Sequence, residues 1–154
     1  MINNERQYRI TKGWVQKFTQ ALDHLDAHPD EKTCPHPLLR KAERDGLASQ
    51  IETLEGEIRD YEALRDGQPH AFHLDSFDEL PRTLIRARIA AGLSQKDLAA
   101  RLGLKEQQIQ RYEATEYASA SMARVSAVIR ALGLKVREEV HFASELTGAA
   151  ASSQ

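Results

Sequence analysis

The chain has 154 residues, 41% of them hydrophobic and 29% charged, which suits one ordinary domain or two small ones and excludes wholesale disorder. Aromatic residues make up only 6% while Leu, Ala, Arg and Glu are abundant, a balance that favours helices over a β-sandwich. A single cysteine, Cys34, excludes an intrachain disulfide, the opening residues carry no apolar signal stretch, and no run approaches the length of a membrane span, so a cytoplasmic protein is expected.

The net charge of −2 argues on its face against an anionic partner, but it hides an asymmetry. Residues 1–70 hold 10 Lys and Arg against 13 Asp and Glu, whereas residues 77–134 hold 9 against 6. The second half is therefore the part suited to a polyanion.

Residues 7–28 read as a helix, because Trp14, Phe18, Leu22 and Leu25 recur at spacings of four, four and three and form one apolar stripe. That stripe is expected to build the core of a hairpin. Thr11 is the candidate N-cap, and the start falls between 6 and 12 because Gly13 weakens the first turn. The stretch PDEKTCPHP then forces a turn, and Pro37 is suited to open the next helix, where its missing N–H is harmless. From Leu38 to Asp66 there is no proline. Leu47, Ile51, Leu54, Ile58 and Tyr61 repeat there at heptad spacing, on a rod of about 43 Å. Glu52, Glu55, Glu57, Arg59 and Glu62 form its solvated face. The two helices predict an antiparallel hairpin over 1–68. Because such a hairpin has a thin core, the heptad residues are expected to meet a second copy as a coiled-coil-like dimer seam, or to bind a partner.

Residues 69–76 are a polar linker. Ser76 and Glu79 have capping-box spacing, and short helices follow over 77–91, 95–102, 106–113 and 121–132, ending at Gly92, Gly103 and Gly133 where glycine occurs. Met122, Val125, Val128, Ile129 and Leu132 are the apolar residues of the last of these. Residues 77–134 thus predict a compact all-α domain. Beyond it, Leu134, Val136, Val140 and Phe142 alternate with charged residues, which predicts a short strand. A lone strand needs a partner ladder. Val136 and Val140 are accordingly expected to pair with a second copy, within a dimerising strand and disordered tail over 135–154.

The informative stretch is LSQKDLAARLGLKEQQIQRYE, residues 93–113. A helix of eight residues ends at Gly103 and a second begins after a three-residue turn. Leu98, Ala99 and Leu102 would face Ile109 and Tyr112, with Ala99 small enough for a close crossing. This is the pattern of a helix-turn-helix, whose second helix fits the major groove of B-DNA. Lys105, Glu106, Gln107, Gln108, Gln110 and Arg111 would then point outward. Gln pairs with adenine, Arg with guanine, and Glu accepts from cytosine. An ordinary solvated helix face is the competing reading.

Over 77–134 the sequence resembles the Cro/C1-type (XRE) helix-turn-helix domains of phage repressors and bacterial regulators, on Leu93, Gln95, Leu98, Ala99, Gly103, Ile109, Glu113 and Leu132–Gly133. The resemblance implies a five-helix Cro/C1-type domain over 77–134; with the long N-terminal hairpin and the short C-terminal β-strand read above, the strand expected to pair across a dimer, the expected fold class is all-α. The resemblance also implies base contacts from Glu106, Gln107, Gln108 and Arg111 and phosphate contacts from Gln95, Lys105, Tyr117, Ser119 and Ser121. The sequence departs from the family where Glu-x-Gly is usual, since Glu113 is followed by Ala114 and Thr115, so the turn carrying Tyr117, Ser119 and Ser121 is expected to differ. The whole-chain arrangement is similar to HigA-type antitoxins, which implies a toxin partner and autorepression. A stand-alone regulator and a protein-interaction module are the alternatives. The expected partners are double-stranded DNA with a pseudo-palindromic site, a second copy, and, on the antitoxin reading, a toxin.

His24, His28, Cys34 and His36 are zinc-type ligands, but their spacing fits no finger pattern and prolines flank Cys34–His36, so no metal is expected. No phosphate loop, nucleophile elbow or metalloprotease signature occurs, so no enzyme and no cofactor are expected. Trp14 and Phe18 are read as hairpin core rather than as partner anchors, and Tyr112 as core rather than as a base-stacking ring.

Overall fold

A computed structural model describes residues 1–28, 36–67, 71–137 and 139. Helix α1 runs Glu5–Ala27 and α2 Pro37–Gly67; a 3-10 turn at Phe77–Glu79 leads into α3 (Leu80–Ala90), α4 (Gln95–Leu102), α5 (Glu106–Ala114) and α6 (Met122–Ala131). The helix-turn-helix part is thus one 3-10 turn and four α-helices rather than five helices. No helix among the described residues is long and apolar enough to cross a membrane.

Helix α1 starts earlier than the sequence suggests. Asn4, not Thr11, is the N-cap: its side chain accepts from the Gln7 N–H at 2.9 Å, and the Gln7 side-chain Oε1 accepts from the Asn3 N–H at 2.7 Å. That reciprocal cap carries the helix through Gly13. Helix α2 opens on Pro37 as expected. The two pack antiparallel, with Arg40 donating to the carbonyls of Leu25 and His28, Arg44 paired with Asp26 at 2.9 Å, and the Tyr8 and Tyr61 rings stacked at 5.2 Å.

The inward line of α1 is Tyr8, Thr11, Val15, Phe18, Leu22 and Leu25, all buried or half-buried at spacings of three and four. Trp14 lies off this line and is 47% exposed, correcting its assignment to the hairpin core. The error came from taking Trp14 as the origin of the stripe. Starting one residue later, at Val15, restores the heptad register.

On α2, Leu47, Ile51, Leu54 and Ile58 are half-buried and Tyr61 is buried. Ile58 and Tyr61 join Ile2 and Tyr8 in the same apolar cluster as Leu84, Ile85, Leu98, Ile109 and Val128. The C-terminal end of the heptad stripe is therefore spent inside the chain, and Tyr61 is not free to form a dimer seam. The hairpin and the four short helices share one core.

The Ser76 cap is also displaced from expectation. Its side chain accepts from the Asp78 N–H at 3.2 Å, but Glu79 reaches back to the Asp75 N–H rather than to that of Ser76. Pro81, lacking an N–H, then divides the expected 77–91 helix into a 3-10 turn and α3. Met122 is 61% exposed at the start of α6, outside the inward line of Val125, Val128 and Ile129. Residues 134–137 have no regular structure: Leu134 leans on the core, Val136 is 43% exposed, and no described segment offers these residues a ladder. The far end of the expected strand, Val140 and Phe142 included, lies outside the described residues, as does Cys34.

Leu84→Ala should cost about 2–5 kcal/mol in urea unfolding, because Leu84 is fully buried, whereas Trp14→Ala should change stability by less than about 1 kcal/mol.

Candidate nucleic-acid interface

The local sequence sets the geometry of α4 and α5. Ser94 caps α4, its hydroxyl accepting from the Asp97 N–H at 3.1 Å while the Asp97 carboxylate accepts from the Ser94 N–H at 2.9 Å and its hydroxyl at 2.6 Å. These bonds, the Ser94 hydroxyl first and its backbone N–H second, hold the Asp97 carboxyl below the ordinary carboxylate range. The helix ends at Gly103, whose φ of 65° suits glycine, and the Leu104 N–H closes back on the Ala99 carbonyl at 2.9 Å. Leu98, Ala99 and Ile109 are buried at the crossing, and Tyr112 is half-buried beside them.

This crossing leaves Lys105, Glu106, Gln107, Gln108, Gln110 and Arg111 exposed together on α5. They are not equally available. The Gln108 side-chain Oε1 accepts from the Lys105 N–H at 3.0 Å, and the Gln110 side-chain amide donates to Glu106 at 3.1 Å. Among the described residues, the side chains of Gln107 and Arg111 make no hydrogen bond or ion pair, so they can meet base edges without first breaking one.

The phosphate-contact assignments divide. Lys105 at the start of α5 is exposed. Ser119 is exposed, its hydroxyl 3.4 Å from that of Thr115. Ser121 is exposed and caps α6 by accepting from the Arg124 N–H, which leaves its own proton to give. Tyr117, in contrast, is 3% exposed, packed parallel to Tyr112, so it belongs to the core rather than to an interface. Burial, and secondarily the Glu113 carboxylate, pushes its phenol well above the ordinary range. No glycine lies between Glu113 and Ser121, and the left-handed turn falls on Glu116 and Tyr117, at φ 47° and 59°. Such a conformation costs roughly 1–2 kcal/mol per non-glycine residue, against which stands the burial of the Tyr117 ring; the Arg82–Glu116 ion pair at 2.7 Å is exposed and adds little.

Gln95 is the larger correction. It is 6% exposed: it donates to Glu113 at 2.7 Å and accepts from the Asn4 side chain at 3.3 Å. It is therefore occupied within the chain and not presented to a phosphate. Its partner Glu113 belongs to a buried pair that sequence reasoning missed. Arg88, 2% exposed, donates to both Glu113 carboxylate oxygens at 2.6 and 2.8 Å, to the Leu93 carbonyl at 2.7 Å and to the Asn3 carbonyl at 2.6 Å. The available signal was Arg88 standing four residues after Leu84 on an inward line, and Glu113 four after Ile109. No group of three or more His, Cys, Asp or Glu among the described residues is placed to hold a metal ion.

Glu113→Gln should cost about 3–5 kcal/mol in urea unfolding by leaving Arg88 buried without a counter-charge, and the Arg88→Met/Glu113→Leu double variant should lose less than the two single variants summed. Ser94→Ala should return the Asp97 pKa toward the ordinary carboxylate value in an NMR titration. Because the depressed pKa stabilises the fold above the unfolded value, the stability gap between wild type and Ser94→Ala should narrow as the pH falls through the folded-state pKa.

Compared with known proteins, residues 84–138 match a family model described as helix-turn-helix. No curated protein and no solved structure matches the chain. The match spans α3 to α6 and leaves the hairpin outside it. Geometry and match coincide: residues 84–138 are a helix-turn-helix domain, the kind that DNA-binding regulators of the XRE type carry.

Proposed function

We propose that this chain is a sequence-specific repressor that binds a pseudo-palindromic duplex as a homodimer, reading bases with α5. The observation that carries this reading is the pair of exposed, uncommitted side chains Gln107 and Arg111 on a helix whose opposite face, Ile109 and Glu113, is locked into the core. A rigid helix with free hydrogen-bonding groups on its outer side is what major-groove readout requires. Glu106 and Gln108 complete the base-facing set, and Lys105, Ser119 and Ser121 are the phosphate contacts that stay accessible.

The hairpin extends the reading to an antitoxin, in which it would seat a toxin while the helix-turn-helix represses transcription. Exposed Ile10 and Trp14, one turn apart on α1 with the Lys17 ammonium 4.8 Å from the Trp14 ring, favour a protein partner on that face. The same feature supports the rival reading of an interaction module with the helix-turn-helix as scaffold.

Selection of bound duplexes from random DNA by the full chain, with mass measurement in solution, tests both readings. The expected outcome is a dimer and half-sites about 10 bp apart or a multiple of that. Arg111→Ala should then cost about 1–3 kcal/mol and relax preference at one base position. Failure to enrich any duplex, with the hairpin still capturing a protein partner, would favour the interaction module.

A further inference from the structure

The N-terminus of α1 occupies the edge of the helix-turn-helix where a phosphate contact from Gln95 was expected. Asn4 caps α1 and also donates to the Gln95 side chain, so α1 and α4 begin side by side. Between the opening turns of α1 and the outer side of α5 lies a groove of about 840 Å³, with Glu5, Arg6 and Gln7 on one wall, Glu106 and Gln110 on the other, and Gln95 also lining it. Glu106 belongs both to this groove and to the base-facing set, so the groove continues the proposed interface. Arg6 is exposed and makes no ion pair or hydrogen bond among the described residues. Glu106, the acidic side chain across from it, accepts instead from Gln110 at 3.1 Å.

A helix reading the major groove is flanked by the phosphates that border that groove, and an element packed beside it meets the backbone rather than the bases. Resting on the DNA-binding reading, we propose that the hairpin is part of the DNA interface: Arg6, in the first turn of α1, donates to a backbone phosphate of the strand that passes between α1 and α5. It supplies the contact that buried Gln95 cannot make. Because a phosphate contact carries no base information, its effect is the same on every sequence.

The test uses the full chain, the tightest duplex it selects from random DNA, and a scrambled duplex of equal length, with affinity measured across salt concentrations. Arg6→Gln should weaken both duplexes several-fold and reduce the magnitude of the log K against log salt slope by about one unit, while Arg6→Lys keeps the slope. Arg44→Gln removes the same charge at the loop end of the hairpin, where Arg44 pairs with Asp26, and should leave the slope unchanged. Arg6 is exposed, so a thermal melt should show the Gln variant folded. If Arg6→Gln behaves like Arg44→Gln, or binds more tightly than wild type, while Arg111→Ala still weakens binding, the inference is overturned and the regulator reading stands. If the wild-type chain enriches no duplex, the regulator reading fails and this inference fails with it.

Discussion

The buried ion pair between Arg88 and Glu113 is the constraint on which the rest of the structure depends. Two full charges at 2% and 1% exposure persist only where hydrogen bonds compensate their lost hydration. The chain supplies those bonds from five places. Helix α3 brings the guanidinium, α5 the carboxylate, α4 the Gln95 amide, the turn between α3 and α4 the Leu93 carbonyl, and the segment before α1 the Asn3 carbonyl. Satisfying one pair therefore sets the relative placement of the recognition helix, its supporting helix and the start of the hairpin. The short helices could have packed as apolar cylinders with some freedom to rotate. The directional bonds of Arg88 and Glu113 remove that freedom.

What this rigidity achieves is a division of α5 into two faces. Ile109 and Glu113 are held inward, one by packing and one by charge. The outer residues are then presented at defined positions, and internal bonds further sort them. Gln108 and Gln110 are partly committed to neighbours on their own helix, while Gln107 and Arg111 are not. A readout helix gains specificity when its free groups are few and positioned rather than many and mobile.

The hairpin is joined to the same scaffold, not appended to it. Ile2, Tyr8, Ile58 and Tyr61 lie in the core that also holds Leu84 and Ile109. A stripe at heptad spacing does not announce its partner. Apolar area at 3.5-residue intervals is buried equally well by a neighbouring helix of the same chain or by another copy, and here α1 and α3 take up its C-terminal end. Ile10 and Trp14 on the outward face of α1, and Leu38 and Leu39 at the start of α2, are left as exposed apolar side chains of the hairpin.

Local chemistry made much of this legible. Pro37 opening α2, Ser94 capping α4, Gly103 ending it, and the inward Leu98, Ala99 and Ile109 follow from propensities that act within a few residues. The exposure of Glu106, Gln107, Gln108 and Arg111 follows in turn from helix periodicity once Ile109 is known to face inward. Other features rest on residues far apart in the chain. Gln95 has the look of a surface polar residue, and only the approach of Asn4 and Glu113, 91 and 18 positions away, buries it. Tyr117 reads equally well as a phosphate donor until the left-handed turn at Glu116 folds its ring under α5. Sequence periodicity by itself determined which elements form and which face of each is apolar, because those depend on contacts three and four residues apart. Tertiary structure alone decided which polar groups are spent in compensating one another and which remain free for a partner, because a buried charge is satisfied by whatever the fold brings within about 3 Å, at any distance along the chain.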